Sequence, residues 1–247
     1  MLMFLCFSSE DRYTVVKSCL YHLKNYGIPV WYDYHELILG DLKKEKNFEH
    51  AINSNKYFII IYSEAFFKSP CALNEEGRIF SQLKERDVVI FPLLYNIKFR
   101  ELPIVYQDKL ENLIYNEIDD ISGCINSINQ IVTKYLIDKL SIPSTAKTPT
   151  LYDYDASEIN DLYIQELMRD YINIAPDNFN ARIALLACIF KYIENKTELS
   201  EEYLFLSKTM RYLLKFTNFN IEYNHKELII AELCILNLIN QISNCFI

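Results

Sequence analysis

Short apolar runs alternate with amphipathic stretches over the first 140 residues. Each run is too short for a buried helix and has the continuous apolar character of a strand that is covered on both faces. The predicted strands are residues 2–7, 28–32, 57–62, 88–94 and 113–118. Because helical segments separate them, the pattern predicts βαβ units. It therefore indicates an α/β fold with a doubly wound, parallel five-stranded sheet and right-handed crossovers.

The segments between the strands carry helix boundary signals. Residues 8–11 supply capping side chains and first-turn acids for a first helix, and Gly27 follows it in the position that often closes helices. Ser69 followed by Pro70 predicts the start of another helix, because a capping oxygen is followed by a residue with no N–H to leave unpaired. The other predicted helices are residues 41–54 and 119–140, whereas residues 95–111 are predicted to be irregular.

The chain changes character after residue 140. Residues 141–150 contain two prolines and small polar residues without an apolar face, which is typical of a linker. No strand pattern follows, and four segments predict helices over residues 157–175, 178–194, 199–217 and 225–243. We therefore expect an α/β domain at 1–140, a linker at 141–150 and a helical domain at 151–247 with a regulatory or oligomerisation role.

Composition and charge narrow the classes of function. The 247 residues are 51% hydrophobic, which is ample for a sizeable core. The net charge is −8 and no basic stripe is present, which argues against nucleic acid or an anionic membrane as the main partner. No run reaches the about 18 uninterrupted apolar residues of a membrane span. The apolar N-terminus lacks the basic region and cleavage site of a signal peptide.

The cysteines indicate a compartment. Seven are scattered along the chain without a C-x-x-C pair, and most lie inside apolar segments. This pattern predicts reduced, buried thiols in a cytoplasmic protein, and we expect no metal site.

The most informative stretch is residues 63–76, S-E-A-F-F-K-S-P-C-A-L-N-E-E. It follows the third predicted strand, and the helix that begins at Ser69 brings Glu75 and Glu76 to a strand–helix junction. In doubly wound sheets such junctions form the crevice where ligands bind. The stretch therefore predicts a carboxylate at the mouth of a pocket, although an exposed helix acid is the simpler interpretation when this stretch is taken alone.

Six segments together resemble a known family. They are F-L-C-F-S-S-E-D-R at 4–12, G-I-P-V-W-Y-D at 27–33, E-L-I-L-G-D at 36–41, A-I-N-S at 51–54, I-I-I-Y-S-E-A-F-F-K-S-P-C-A-L-N-E at 59–75 and V-I-F-P-L-L at 89–94. Their order and spacing over residues 4–137 resemble a TIR (Toll/interleukin-1 receptor) domain of the bacterial type. The resemblance covers a little over half of the chain, and the residues beyond 150 lie outside it.

The resemblance implies a flavodoxin-like fold and cleavage of NAD+ at the nicotinamide–ribose bond. The implied products are ADP-ribose or a cyclic ADP-ribose isomer that signals to a downstream effector in antiphage defence. NAD+ is then a substrate, and no cofactor is implied. Because family sites are often completed by a neighbouring subunit, we also expect self-association through the TIR domain and the helical tail.

The resemblance also assigns site residues. The family's catalytic glutamate lies six residues after the serine that begins the third helix. This position is Glu75, and Glu76 is expected to face elsewhere. Substrate contacts are implied for the first loop, for the end of the second strand and for the loop after it, the BB loop at 33–41. The implied contact residues are Phe7, Ser8, Ser9, Trp31, Asp33, Leu37 and Gly40.

Two interpretations of the domain stay open. Glu75 favours an enzyme, because nicotinamide departs neutral and one ionised carboxylate suffices to stabilise an oxocarbenium-like transition state at the ribose. Cys71-Ala72 stands where the family usually has Trp-Cys, so an aromatic wall of the pocket is missing. That loss favours a non-catalytic interaction module whose residues 33–41 recruit other TIR domains.

Several candidate residues also have structural interpretations. Trp31 is expected to lie half in the core and half at the pocket edge. Ser8 and Ser9 serve at least as helix caps. Asp33 is also a common turn former. Cys6 replaces the serine that is usual in the family's first strand.

Overall fold

The computed structural model describes residues 2–32, 51–83, 85–140, 150–153, 157, 159–196, 204–215 and 222–245. The chain divides into two compact units. Unit 1 comprises residues 1–24 and 28–128, and unit 2 comprises residues 25–27 and 129–247. The predicted linker lies outside the described residues except for Thr150, and the predicted domain boundaries stay a prediction.

Unit 1 contains a parallel five-stranded sheet with the strand order β2-β1-β3-β4-β5. The strands are β1 (Met3–Cys6), β2 (Val30–Trp31), β3 (Tyr57–Tyr62), β4 (Val89–Tyr95) and β5 (Asn116–Ile118). Every residue of β3 is buried, and β3 pairs with β4 over its whole length. This is the flavodoxin-like order, so the predicted α/β fold class is confirmed.

Helices lie between and after these strands. They are α1 (Lys17–Asn25), α2 (Ala51–Ser54), α3 (Glu64–Lys68), α4 (Pro70–Gln82), α5 (Ile104–Leu110) and α6 (Ile125–Lys139). The start of α4 is as predicted, because the Ser69 hydroxyl accepts from Ala72 N and Pro70 occupies the first turn. The first helix differs from the prediction, since residues 12–16 form a π-helical turn with non-helical angles at Thr14.

The prediction that residues 95–111 are irregular was wrong, because this segment contains α5. The pattern was misleading because α5 has no apolar face of the usual width. Ile104 and Val105 are 74% and 69% exposed, and Leu110 is the buried residue. Pro103 stands at the position that begins this helix.

Four further helices lie in the described part of unit 2. They are α7 (Leu162–Asn173), α8 (Phe179–Lys196), α9 (Leu204–Leu214) and α10 (His225–Cys245). The α10 helix packs against both α8 and α9, and its residues from 230 to 239 are buried, so it is the central helix among them. Within the part of the chain that the structure describes, no helix has the length and apolar character needed to cross a membrane.

Candidate functional site

The order in which the chain adds strands to the sheet changes direction between β1 and β3. The chain leaves β1 for β2 on one side and later places β3 on the other side of β1. The segments that follow β1 and β3 therefore diverge and leave a crevice at the carboxyl ends of the strands, which is where ligands bind in open α/β sheets. Phe7 and Ser8 leave β1 at this point, and Ser63 leaves β3.

Glu75 reaches this crevice from α4. Its side chain is partly buried, and Cys71, one turn earlier, donates its thiol to Glu75 Oε1 at 3.6 Å. Cys6, the last residue of β1, lies fully buried beside it. Burial raises the pKa of the Cys6 thiol, and the charge of Glu75 and a hydrogen bond to it raise that pKa further. The carboxylate of Glu75 therefore lies against the carboxyl end of β1.

Glu76 has a different environment. Its side chain is 1% exposed, and Lys109 Nζ lies 2.8 and 2.9 Å from its two carboxylate oxygens. The hydroxyl of Tyr62, at the end of β3, donates to Glu76 Oε1 at 3.2 Å. Burial, and then the charge of Glu76, raise the pKa of Tyr62 well above its ordinary value. Adjacent carboxylates on one helix thus have separate sets of partners.

The first-loop residues form one side of the crevice. The Phe7 ring stacks on Tyr32 with 5.8 Å between ring centroids, and the guanidinium of Arg12 lies 5.8 and 5.7 Å from these two rings. Ser8 is buried, and its hydroxyl accepts from Glu10 N at 3.4 Å, as a helix cap does. Ser9 is exposed.

Trp31 ends β2 and packs against Phe4. The two rings stack with 4.9 Å between centroids and an interplanar angle of 7°. The indole adjoins the apolar core and keeps part of its surface exposed, and its place at the edge of a pocket stays a prediction. The remaining predicted contact residues, Asp33, Leu37 and Gly40, lie outside the described residues.

Asp11 was read from the sequence only as a first-turn acid. Its side chain is 6% exposed and accepts a hydrogen bond of 2.6 Å from the hydroxyl of Ser63. This bond joins the segments that follow β1 and β3 across the switch point. Burial raises the pKa of Asp11, and the bond from Ser63 offsets that rise only in part. The short spacing from β1 placed Asp11 near the crevice, but no sequence signal indicated Ser63 as its partner.

The site offers carboxylate, hydroxyl, thiol and aromatic groups. Among the described residues, no three His, Cys, Asp or Glu side chains converge as the ligands of a metal ion would. The chemistry available there is electrostatic stabilisation by Glu75 and binding of a planar or polar substrate by the first loop and its aromatic neighbours.

Comparison with known proteins shows what part of this chain is similar to. Residues 3–120 match the model of the TIR domain. Three curated relatives align with this region. They are a probable 2′ cyclic ADP-D-ribose synthase, TcpO, from Methanobrevibacter olleyae (33% identity over 99 residues), the NAD(+) hydrolase TcpA from Theionarchaea archaeon strain DG-70-1 (25% over 131) and the 2′ cyclic ADP-D-ribose synthase BtTIR from Bacteroides thetaiotaomicron (29% over 122).

These alignments cover part of each protein. They span 40%, 53% and 48% of this chain and 28%, 40% and 42% of the three relatives, so the chain spans less than half the length of each. Two solved structures also align. The TIR domains of the activated Roq1 resistosome give a TM-score of 0.44 at 18% identity, covering 54% of this chain and 98% of that one. The TIR domain of the Toll-related receptor TRR-2 from Hydra magnipapillata gives 0.41 at 20% identity, covering 57% and 98%.

Proposed function

We propose that this chain, whose residues 3–120 match the model of the TIR domain, cleaves NAD+ at the nicotinamide–ribose bond. The observation that carries the proposal is the position of the Glu75 carboxylate, at the switch-point crevice and against the end of β1. The named activities of three relatives, an NAD(+) hydrolase and two 2′ cyclic ADP-D-ribose synthases, support the same reaction class.

The proposed chemistry needs one anion in a preorganised site. The bond from ribose C1′ to the nicotinamide nitrogen breaks, and its electron pair leaves with nicotinamide, which becomes neutral. Positive charge develops on the ribose ring, and the Glu75 carboxylate stabilises it. A water oxygen or a hydroxyl of the ADP-ribosyl group then bonds to C1′ and loses its proton. The first outcome gives ADP-ribose, and the second gives a cyclic isomer.

The first test is product analysis with the full chain at high concentration. Wild type and Glu75→Gln are incubated with NAD+, and the products are separated by liquid chromatography with mass detection. We expect wild type to release nicotinamide and the variant to be slower by on the order of 10²–10³-fold, because one charge-stabilising group is lost. The second product, ADP-ribose or a species lighter by one water, distinguishes hydrolysis from cyclisation.

Glu64→Gln is the matched control for this test. Glu64 is an exposed carboxylate on α3, and its partner Lys68 lies 3.8 Å away and is also exposed. The same chemical change at this position should leave nicotinamide release within about twofold of wild type. Equal turnover in wild type and Glu75→Gln would contradict the assigned role of Glu75.

A non-catalytic TIR interaction module is the second candidate. The observation that favours it is the Cys71-Ala72 pair, which provides a thiol and a methyl group at the start of α4 in place of an aromatic ring. No nicotinamide from concentrated protein, together with concentration-dependent association with other TIR domains, would support this module and exclude the enzyme.

The biological setting belongs to the same proposal. We propose that the nucleotide product signals to a downstream effector in antiphage defence and that the protein acts in the cytoplasm. Self-association through the TIR domain and through residues 151–247 would regulate its activity, as the tail contributes no chemistry that its sequence reveals. Cross-linking at several protein concentrations, read alongside nicotinamide release, tests this coupling.

A further inference from the structure

An ion pair with a buried carboxylate and a partly exposed cation lies directly beside the proposed catalytic residue. Lys109 contacts both oxygens of Glu76, and the Glu76 side chain is almost completely removed from solvent. The pair joins α4, which carries Glu76, to α5, which carries Lys109. Through the Tyr62 hydroxyl it also reaches the carboxyl end of β3. The Glu76 carboxylate therefore connects α4 with α5 and with the end of β3.

The cation of this pair is held from two further sides. Lys109 Nζ lies 4.7 Å from the ring centroid of Phe80, one turn after Glu76 on α4, and 5.0 Å from that of Tyr106 on α5. Both distances are within the range of a cation–π interaction. These contacts limit the positions that the ammonium group can take, and so limit those of Glu76.

Holding Glu76 fixes the rotation of α4 about its axis. Successive residues of a helix differ by about 100°, so the direction of Glu75 follows from that of Glu76. A carboxylate roughly 6 Å from the axis moves by about 1 Å for a rotation of about 10°. A displacement of this size in a reacting or stabilising group costs up to about 100-fold in rate. The contacts of Glu75 with Cys6 and Cys71 depend on the same rotation.

Stability alone does not account for such a pair. Replacing a buried ion pair with apolar side chains of similar volume is often neutral or stabilising, because two charges must lose their water. Here the pair adjoins the one carboxylate that the proposed reaction requires. We propose that Glu76, Lys109 and Tyr62 are positioning residues that hold Glu75 in its reactive orientation. The expected effect on kcat rests on the proposed NAD+ cleavage, but the orientation of Glu75 can be measured without turnover.

The test compares a variant that breaks the pair with one that removes both charges. Lys109→Met leaves the Glu76 carboxylate buried without its cation and should lower both thermal stability and kcat. Glu76→Gln/Lys109→Met leaves no charge uncompensated, so thermal stability should recover. If the pair positions Glu75, kcat in the double variant stays about 10- to 100-fold below wild type with KM changed less than threefold. Lys109→Arg, which can restore a two-pronged contact, should recover most of kcat.

Lys56→Met is the matched control. Lys56 precedes β3 at the opposite edge of the sheet, pairs with Asp87 at 3.0 Å and lies 5.8 Å from the Tyr57 ring. This variant loses an ion pair, here to an exposed carboxylate, and a ring contact away from the crevice, so kcat should stay within about twofold of wild type. Recovery of wild-type kcat together with stability in the double variant would show that the pair only stabilises the fold and would overturn the inference.

The rate of Cys71 alkylation reports on the orientation of Glu75 in an assay that needs no turnover. Cys71 is exposed, and its thiol donates a hydrogen bond to Glu75 Oε1, which restrains the sulfur. When Glu75 turns away, iodoacetamide should label Cys71 about three- to tenfold faster, as it should in Glu75→Gln. The rate, measured by peptide mass spectrometry, should rise in the double variant and not in Lys56→Met. An unchanged rate would refute positioning, whereas absent nicotinamide release with a raised rate would refute only the enzymatic function.

Discussion

At the scale of single residues, solvent exposure separates the two adjacent carboxylates of α4. Glu76 is buried, and a charge in that environment requires close partners, which Lys109 and Tyr62 supply. Glu75 is partly exposed and has thiols among its contacts, which are weak hydrogen-bond donors. The carboxylate of Glu75 is therefore less enclosed than that of Glu76, which is occupied within the fold.

The buried carboxyl of Asp11 makes a pH-dependent contribution to stability. Because its pKa is raised in the folded protein, its contribution is most favourable at acidic pH and is lost as the pH rises through the folded pKa. Asn in its place can still accept from Ser63 and carries no charge. We expect Asp11→Asn to match wild-type stability near pH 4 and to exceed it near pH 8 by about 1 kcal/mol.

Urea unfolding followed by the fluorescence of Trp31 checks this expectation, because Trp31 is the single tryptophan and lies in unit 1. Glu64→Gln is the control, since Glu64 is an exposed acid on α3 in the same unit. A gain for Asp11→Asn that is the same at both pH values would contradict the assigned cause.

Part of the candidate site was predictable at this scale. The spacing from Ser69 to Glu75 follows from the sequence, because the helix start has its own capping signal. The burial of Glu76 and its ion pair with Lys109 could not be predicted, because Lys109 lies in a segment that was predicted to be irregular. Asp11 was taken only as a first-turn acid. Its hydrogen bond with Ser63 could not be predicted, because contacts between distant segments leave no local sequence pattern.

At the scale of elements, the end of α1 is closed by Gly27, as the sequence predicted. Its φ is +73°, and the amide of Ile28 donates to Leu23 O at 3.0 Å in the manner of a helix C-terminal cap. A Cβ at Gly27 would lie 2.8 Å from Lys208 Cβ and 3.1 Å from Phe205 Cα. This position therefore excludes a side chain on two grounds, backbone conformation and space.

Gly27→Ala should lower the free energy of unfolding by about 2–4 kcal/mol, because a strained φ and a steric overlap both add cost. Gly77→Ala is the matched control. Gly77 lies inside α4 with nothing within 4 Å of a Cβ, so Ala should stabilise by up to about 1 kcal/mol. Urea unfolding followed by circular dichroism measures both, and equal effects at the two glycines would contradict this account.

The elements that the sequence missed share a physical cause. Helix α3 has five residues, and α5 has seven with two exposed apolar residues at its start. Neither is long enough to show a helical period. The strands were predicted well because β3 and β4 are buried on both faces and therefore consist of apolar runs.

At the scale of the whole molecule, the order of strands and helices determines where the site lies. Alternating elements predicted a doubly wound sheet, and a switch point follows from the strand order β2-β1-β3. Glu75 could therefore be assigned to a crevice in advance, whereas Phe7 and Ser8 were assigned to it through the family resemblance. Residues 33–41 could be assigned only by family resemblance, so the contacts predicted for them stay a prediction.

The helical unit has its own source of stability in Glu194, near the end of α8. Burial would raise the pKa of Glu194, but hydrogen bonds from Lys191, Arg211 and Ser207 outweigh it and lower the pKa to about 2. The stabilisation is therefore present above the ordinary pKa and is lost as the pH falls through the folded value. Glu194→Gln should cost about 1–2 kcal/mol near pH 7, a modest value because Lys191 and Arg211 are exposed and screened.

Helical circular dichroism in urea should show this loss near pH 7, and the difference from wild type should shrink as the pH is lowered from 5 towards 3. Trp31 fluorescence in the same samples reports on unit 1, so a local effect can be distinguished from general destabilisation. Glu166→Gln, at an exposed position on α7, provides a neutralised control. A difference that grows on acidification would contradict the sign of the assigned shift, because a carboxylate with a lowered pKa stabilises the fold only while it is ionised.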